Sequence, residues 1–195
     1  MCGIVGYIGN KNATPVLVNA LKKLEYRGYD SAGIAVFNGQ DILVRKVKGA
    51  LKALEEKIAK ETIEGSLGIG HTRWATHGEP SDINAHPHLN ESGTIAVVHN
   101  GIIENFAKLK AWLQSEGVVF KSDTDTEVIA HLINYYYEDS LDIFEAVKAT
   151  VNRLEGSYAL GVLCKDFPDR VIAARKECPL IVGLGKDENF IASDV

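Results

Sequence analysis

Two β-rich runs, Gly33 to Phe37 and Ile42 to Val47, flank Asn38-Gly39, and this arrangement leaves the chain little choice but an antiparallel hairpin. Asparagine followed by glycine tolerates the positive φ angles of a turn, whether the connection spans two residues or more. The other elements come in blocks and do not alternate strictly. Gly3 to Gly9 reads as a short apolar strand, and Thr14-Pro15 with the apolar positions through Leu24 reads as a capped helix ending before Gly28. Ala50 to Lys60 has the spacing of an amphipathic surface helix, and Leu67 to Thr72 that of a strand opening into a polar loop, Arg73 to His88. Thr94 to His99 reads as a buried strand that ends at Asn100-Gly101, and Asn105 as the cap of a helix from Phe106 to about Glu116. Helices over Thr124 to Tyr137 and Leu141 to Leu154 precede strands at Tyr158 to Leu163, Arg170 to Ala174, Leu180 to Gly185 and Phe190 to Ala192. Blocks of this kind predict an α+β protein with antiparallel sheets and helices packed on their outer faces.

With 195 residues, 46% hydrophobic and 24% charged, the chain has the composition of one soluble domain. A net charge of -5 and the lack of a clustered basic patch argue against nucleic acid as a partner. Cys-Gly-Ile-Val-Gly stands where a signal peptide would carry basic residues and a longer apolar run, and no segment is apolar over a membrane-spanning length. The expected location is the cytoplasm, where Cys2, Cys164 and Cys178 stay reduced.

Cys2 directly follows the initiator Met and precedes the small Gly3. Removal of Met1 would place a free α-amine beside the thiol, and a group titrating near ~8 can take a proton from one titrating near ~8.5. Nucleophile and base would then share one residue. The bland reading is a small apolar residue opening a buried strand. Asn100-Gly101 is either a turn or an oxyanion hole, made of a side-chain amide donor and an N–H with no Cβ to shield it. Arg73 either pairs with a protein carboxylate or holds a substrate carboxylate in its planar fork, with Thr76 and His77 close behind. Asp125, within Ser122 to Glu127, either binds an ammonium group or belongs to a helix N-terminus favoured by capping. Trp74 is a core anchor or a cover for a pocket. Five of the six histidines lie between His71 and His99, which raises a metal site at His86-Pro87-His88; with no defined third ligand, hydrogen bonding within the loop is the better reading.

Taken together, Cys2 to Gly6, Tyr26 to Gly33, His71 to Pro80, Asn84 to His88, His99 to Asn105 and Ser122 to Glu127 resemble the N-terminal glutaminase domain of the glucosamine-6-phosphate synthase family, a branch of the class II glutamine amidotransferases. The resemblance implies a four-layer αββα sandwich of the N-terminal-nucleophile hydrolase type. It also implies that Cys2 attacks the side-chain amide of L-glutamine, with Asn100 and Gly101 as oxyanion hole. Arg73 and Asp125 would hold the substrate's α-carboxylate and α-amine, and Thr76 and His77 would complete the loop that closes over it. Trp74 would gate an ammonia channel, and Arg27 would support and orient the nucleophile. No metal or organic cofactor is implied. The partner is a sugar-phosphate isomerase half, absent from this chain, which converts fructose-6-phosphate to glucosamine-6-phosphate within a homo-oligomer. The chain stops at Val195, sooner than the resemblance implies for a complete glutaminase domain, so residues 1–195 are expected to be a C-terminally truncated one. Two alternatives stay open: a sister amidotransferase with another acceptor, and a catalytically silent glutamine-binding module.

Overall fold

A computed structural model describes residues 2–195; Met1, on whose removal the α-amine chemistry depends, lies outside the described residues. The strands form two antiparallel sheets. One has the order β3 (Ile42–Lys48), β2 (Ser31–Phe37), β4 (Leu67–Arg73), β1 (Gly3–Gly9), β10 (Glu188–Ala192), β9 (Ile181–Leu184). The other runs β5 (His88–Leu89), β6 (Ile95–Ile103), β7 (Gly156–Cys164), β8 (Ile172–Lys176). Helices α1 (Ala13–Leu24) and α2 (Leu51–Lys60) cover the first sheet, and α3 (Phe106–Ser115), α4 (Asp125–Ser140) and α5 (Ile143–Val151) cover the second.

Side-chain alternation along the strands generates the four layers. In β1, Val5 and Tyr7 face the helices, packing with Leu17 and Leu21 of α1, while Ile4 and Ile8 face the opposite sheet. In β6, Ile95 and Val97 meet the α3–α5 layer, and Ala96 and Val98 meet the first sheet through Ile69 and Ile191. Because each sheet is buried on both faces, its central strands read as continuous apolar runs. That is the pattern visible in the sequence, while the αββα layering is the one the resemblance implied.

Several local expectations change. Asn12, not Thr14, caps α1: its Oδ1 accepts from the Thr14 N–H at 3.2 Å, while the Thr14 hydroxyl donates to the Ile63 carbonyl at 2.6 Å. Asn105 precedes α3 but makes no capping bond; its side chain ties to Arg153 O and Glu155 N at 2.8 and 3.1 Å. Strand β6 does not stop at His99. It continues to Ile103, with Asn100 opposite Ala159 and Gly101 opposite Tyr158, so Asn100-Gly101 is no terminal turn. Thr124 and Asp142 cap α4 and α5, their side-chain oxygens accepting from N–H groups of the first turn. The short β5 within the polar stretch had no signal of its own.

Residues 81–88 are fixed by one cation. Lys46 of β3 donates to the carbonyls of Ile83, Ala85 and Pro87 at 3.0, 2.8 and 3.2 Å, and burial pushes its pKa down to about 8. Beside it, Gly33 lets β2 approach this segment, because a Cβ there would overlap the His86 carbonyl and crowd Lys46. Gly33→Ala should therefore force backbone apart and lower stability by about 1–3 kcal/mol; a chemical-denaturation midpoint equal to that of the parent would show that the segment yields freely.

Candidate active site

Register assembles the site. Gly3 of β1 pairs with Thr72 of β4, so the start of β1 lies beside the end of β4 and Cys2 meets the backbone of Trp74. The Trp74 N–H donates to Cys2 Sγ at 3.2 Å, and the thiol points back to Trp74 O at 3.4 Å. Burial raises the Cys2 pKa above its ordinary value, and the Trp74 N–H offsets part of that rise. The thiol is thus held protonated at neutral pH and needs a base before it can attack.

Two donors hold the Cys2 carbonyl: Arg27 Nε at 3.1 Å and Asn100 Nδ2 at 3.0 Å. Arg27 sits in a 3-10 turn, Glu25–Arg27, that follows α1, and its guanidinium also binds Asp194 at 2.8 Å. Asp194 in turn accepts from the Tyr26 hydroxyl, and Ser193 doubles the anchor: its hydroxyl accepts from the Ile4 N–H at 2.9 Å and its own N–H donates to Ile4 O at 3.0 Å. Sequence reasoning passed over Ser193 and Asp194, because nothing in their neighbourhood signals partners 189 and 167 residues away.

Arg73 is only 4% exposed and pairs with no protein carboxylate among the described residues. Its Nη2 donates to the carbonyls of His77 and Gly78, at 3.0 Å for Gly78, folding residues 73–78 back over the strand end. Its Nη1 is buried with no partner among the described residues, a donor left for something else. The same loop is held by Asp30, which accepts from the Ala75 N–H. Trp74 is 48% exposed with its ring edge-on to Tyr29, which overturns the reading of a core anchor. Gly101 has φ +119°, and a Cβ there would overlap Ser157 O, so no other residue fits. Asp125, in the first turn of α4, is buried; one carboxylate oxygen accepts from the Ile103 N–H at 2.9 Å.

All nine residues singled out in the sequence, Cys2, Arg27, Arg73, Trp74, Thr76, His77, Asn100, Gly101 and Asp125, line one cavity of about 320 Å³. His86, weighed in the sequence only as a metal ligand, and His99, Thr126 and Cys178, given no site role there, line it too. Hydrogen bonds account for the His86-Pro87-His88 pair: His86 Nε2 bonds Thr126 Oγ1 at 3.2 Å and His88 Nε2 bonds Thr124 Oγ1 at 3.0 Å. Among the described residues no three His, Cys, Asp or Glu side chains converge as metal ligands, and no helix is long and apolar enough to cross a membrane.

Comparison with known proteins agrees with this geometry. A family described as a glutamine amidotransferase domain matches residues 71–195. Two relatives named glutamine–fructose-6-phosphate aminotransferase (isomerizing), from Caldanaerobacter subterraneus subsp. tengcongensis and Clostridium tetani, are 64% and 63% identical over all of this chain. The chain spans 32% of the length of each. Among solved structures, glutamine phosphoribosylpyrophosphate amidotransferase from B. subtilis is similar at TM-score 0.85 and 28% identity, over 98% of this chain and 42% of that one.

Four buried imidazoles surround the site. Loss of solvation holds His71, His86, His88 and His99 below their ordinary pKa, His71 at about 3. In the unfolded chain the same rings take up protons below about pH 6.5. Stability should be complete above that pH and fall as the pH drops from there toward the folded values, by about 1.4 kcal/mol per pH unit for each proton excluded. Urea midpoints compared at about pH 7.5 and 5.5 check this; equal midpoints would mean the folded protein already carries those protons.

Proposed function

The chain belongs to the glutamine amidotransferase domain family, and on that footing we propose that it hydrolyses L-glutamine through a thioester on Cys2 and supplies the released ammonia to a sugar phosphate. The observation that carries the proposal is the convergence of a thiol, a side-chain amide donor, an unpaired guanidinium nitrogen and a buried carboxylate on one cavity.

The α-amine that Met1 removal exposes takes the Cys2 proton, and the thiolate attacks the side-chain amide carbon of glutamine. The carbonyl electrons move to oxygen, where Asn100 Nδ2 and the Gly101 N–H stabilise them. Collapse returns the pair, breaks the C–N bond and expels ammonia, which carries the proton held by the amine. Water, deprotonated by the same amine, then cleaves the thioester to glutamate. Arg73 grips the substrate α-carboxylate and Asp125 its α-ammonium, with Thr76 and His77 completing the closure. Arg27 holds the Cys2 carbonyl, and Trp74, at the cavity mouth, gates the path that ammonia takes.

Acceptor and setting belong to the same proposal. The relatives at 64% and 63% identity are named for fructose-6-phosphate, whereas the structure named for phosphoribosylpyrophosphate stands at 28%, which favours fructose-6-phosphate. We place an isomerase domain in the remaining length of the whole protein, a homo-oligomer as its assembled state, and the cytoplasm as its compartment. The last is supported by three free thiols.

The test is 6-diazo-5-oxo-L-norleucine, a glutamine-like electrophile, followed by intact and peptide mass analysis that also records Met1. Met-free chains should carry one label on Cys2, sparing Cys164 and Cys178. Chains that keep Met1 should lose a factor of roughly 10²–10⁴ in labelling rate with their general base. Unlabelled, folded, Met-free protein would leave a binding module without chemistry. Arg73→Ala should raise KM for glutamine about thirtyfold or more, the loss of at least ~2 kcal/mol of charge-assisted hydrogen bonding; an unchanged KM would remove Arg73 from the substrate site.

A further inference from the structure

An asparagine can present either end of its amide, and only the nitrogen end can steady an oxyanion. The surroundings of Asn100 decide between the two. His71 Nε2, on β4, lies 3.0 Å from the His99 carbonyl and 3.0 Å from Asn100 Oδ1, both on β6. A backbone carbonyl only accepts, so Nε2 must carry the proton, and the Asn100 atom facing it must be an acceptor. At the other end, the Cys2 carbonyl at 3.0 Å also only accepts, so the atom facing it must be Nδ2. The two constraints, one from β4 and one from the residue that precedes β1, agree.

From this geometry we infer that His71 is a positioning residue for the glutaminase reaction: its Nε2–H pins the Asn100 amide so that Nδ2 faces Cys2 and the oxygen that develops charge. The inference rests on the glutaminase reading. His71 is well placed to hold one orientation. Its ring is fully buried and stacks on His86, centroids 4.1 Å apart and planes within 21°. His86 is fixed in turn, its Nδ1 accepting from the His99 N–H at 3.3 Å and its Nε2 bonded to Thr126. Burial keeps His71 neutral, with a pKa at about 3, so one proton resides on the ring and the two acceptors demand that it sit on Nε2.

Steady-state hydrolysis of L-glutamine by the full-length, Met1-processed protein tests this with five forms: parent, His71→Leu, His71→Gln, Asn100→Ala, and Asn100→Ala combined with His71→Leu. We expect His71→Leu to lower kcat about 10- to 100-fold with KM within about threefold, short of the ~10²–10³ that follows loss of an oxyanion donor itself. His71→Gln, whose amide can still donate, should recover most of kcat. In the Asn100→Ala background the His71 substitution should cost less than about twofold, since its effect passes through the missing amide. An unchanged kcat in His71→Leu, or a loss of equal size with Asn100 already gone, overturns the inference. A parent that does not hydrolyse glutamine overturns the glutaminase reading and takes the inference with it. Should His71→Leu not fold, nitrogen-15 NMR of the parent decides: a neutral Nε2–H tautomer supports the assignment, and an Nδ1–H tautomer or a cation at neutral pH overturns it.

Discussion

Register between β1 and β4, Gly3 opposite Thr72 and Ile4 opposite His71, is the constraint on which the site depends. It sets Cys2 against the backbone of Trp74 and turns His71 toward the second sheet, where it meets Asn100. A slip of one residue would exchange the two faces of β1, moving Ile4 off the sheet interface and Val5 off α1. Burial of both faces therefore enforces the alignment of the groups that line the cavity. The apolar layers do not merely support the site; they select the one pairing in which it exists.

The site is polar inside an apolar sandwich, and its polar groups are satisfied in pairs drawn from distant parts of the chain. Arg27 joins Asp194 to the Cys2 carbonyl, and Lys46 gathers three carbonyls of the 81–88 segment. Glu127 accepts from the N–H groups of Lys121 and Ser122 and bonds His131, which draws its pKa down to about 2 despite burial. The buried histidines bond to threonine hydroxyls and backbone. Against this background of pairing, Arg73 Nη1, His77 Nδ1 and His99 Nε2 at the cavity stand out as unpartnered among the described residues. They mark where a guest with its own hydrogen-bonding groups would complete the count.

Sequence alone disclosed strands such as Gly3–Gly9 and, one residue short of its observed end at Arg73, Leu67 to Thr72, because apolar runs buried on both faces are hard to mistake. It disclosed the lining residues of the cavity through motif resemblance more than through physics: taken singly, Arg73 and Asp125 each had an ordinary reading as good as the chemical one. Local rules failed where tertiary contacts outweighed them. Asn100-Gly101 has the composition of a turn, yet pairing with β7 holds it in mid-strand. Thr14 and Asn105 have the chemistry of caps, but more distant carbonyls and amides claim their side chains. The partnership of His71 with Asn100 joins strands of different sheets, and that of Arg27 with Asp194 spans most of the chain; neither has a local signature.

That last span has a temporal consequence. Cys2, the proposed nucleophile, is synthesised long before Ser193 and Asp194, which clamp Ile4 and Arg27 beside it from the far end of the described chain. Strand β10 must pair with β1 before either clamp can close. Contacts so remote in sequence form late, after local hairpins and helices. A nascent chain would thus carry the Cys2 thiol past the synthesis of every other described strand without these clamps beside it, and they would close only with β10.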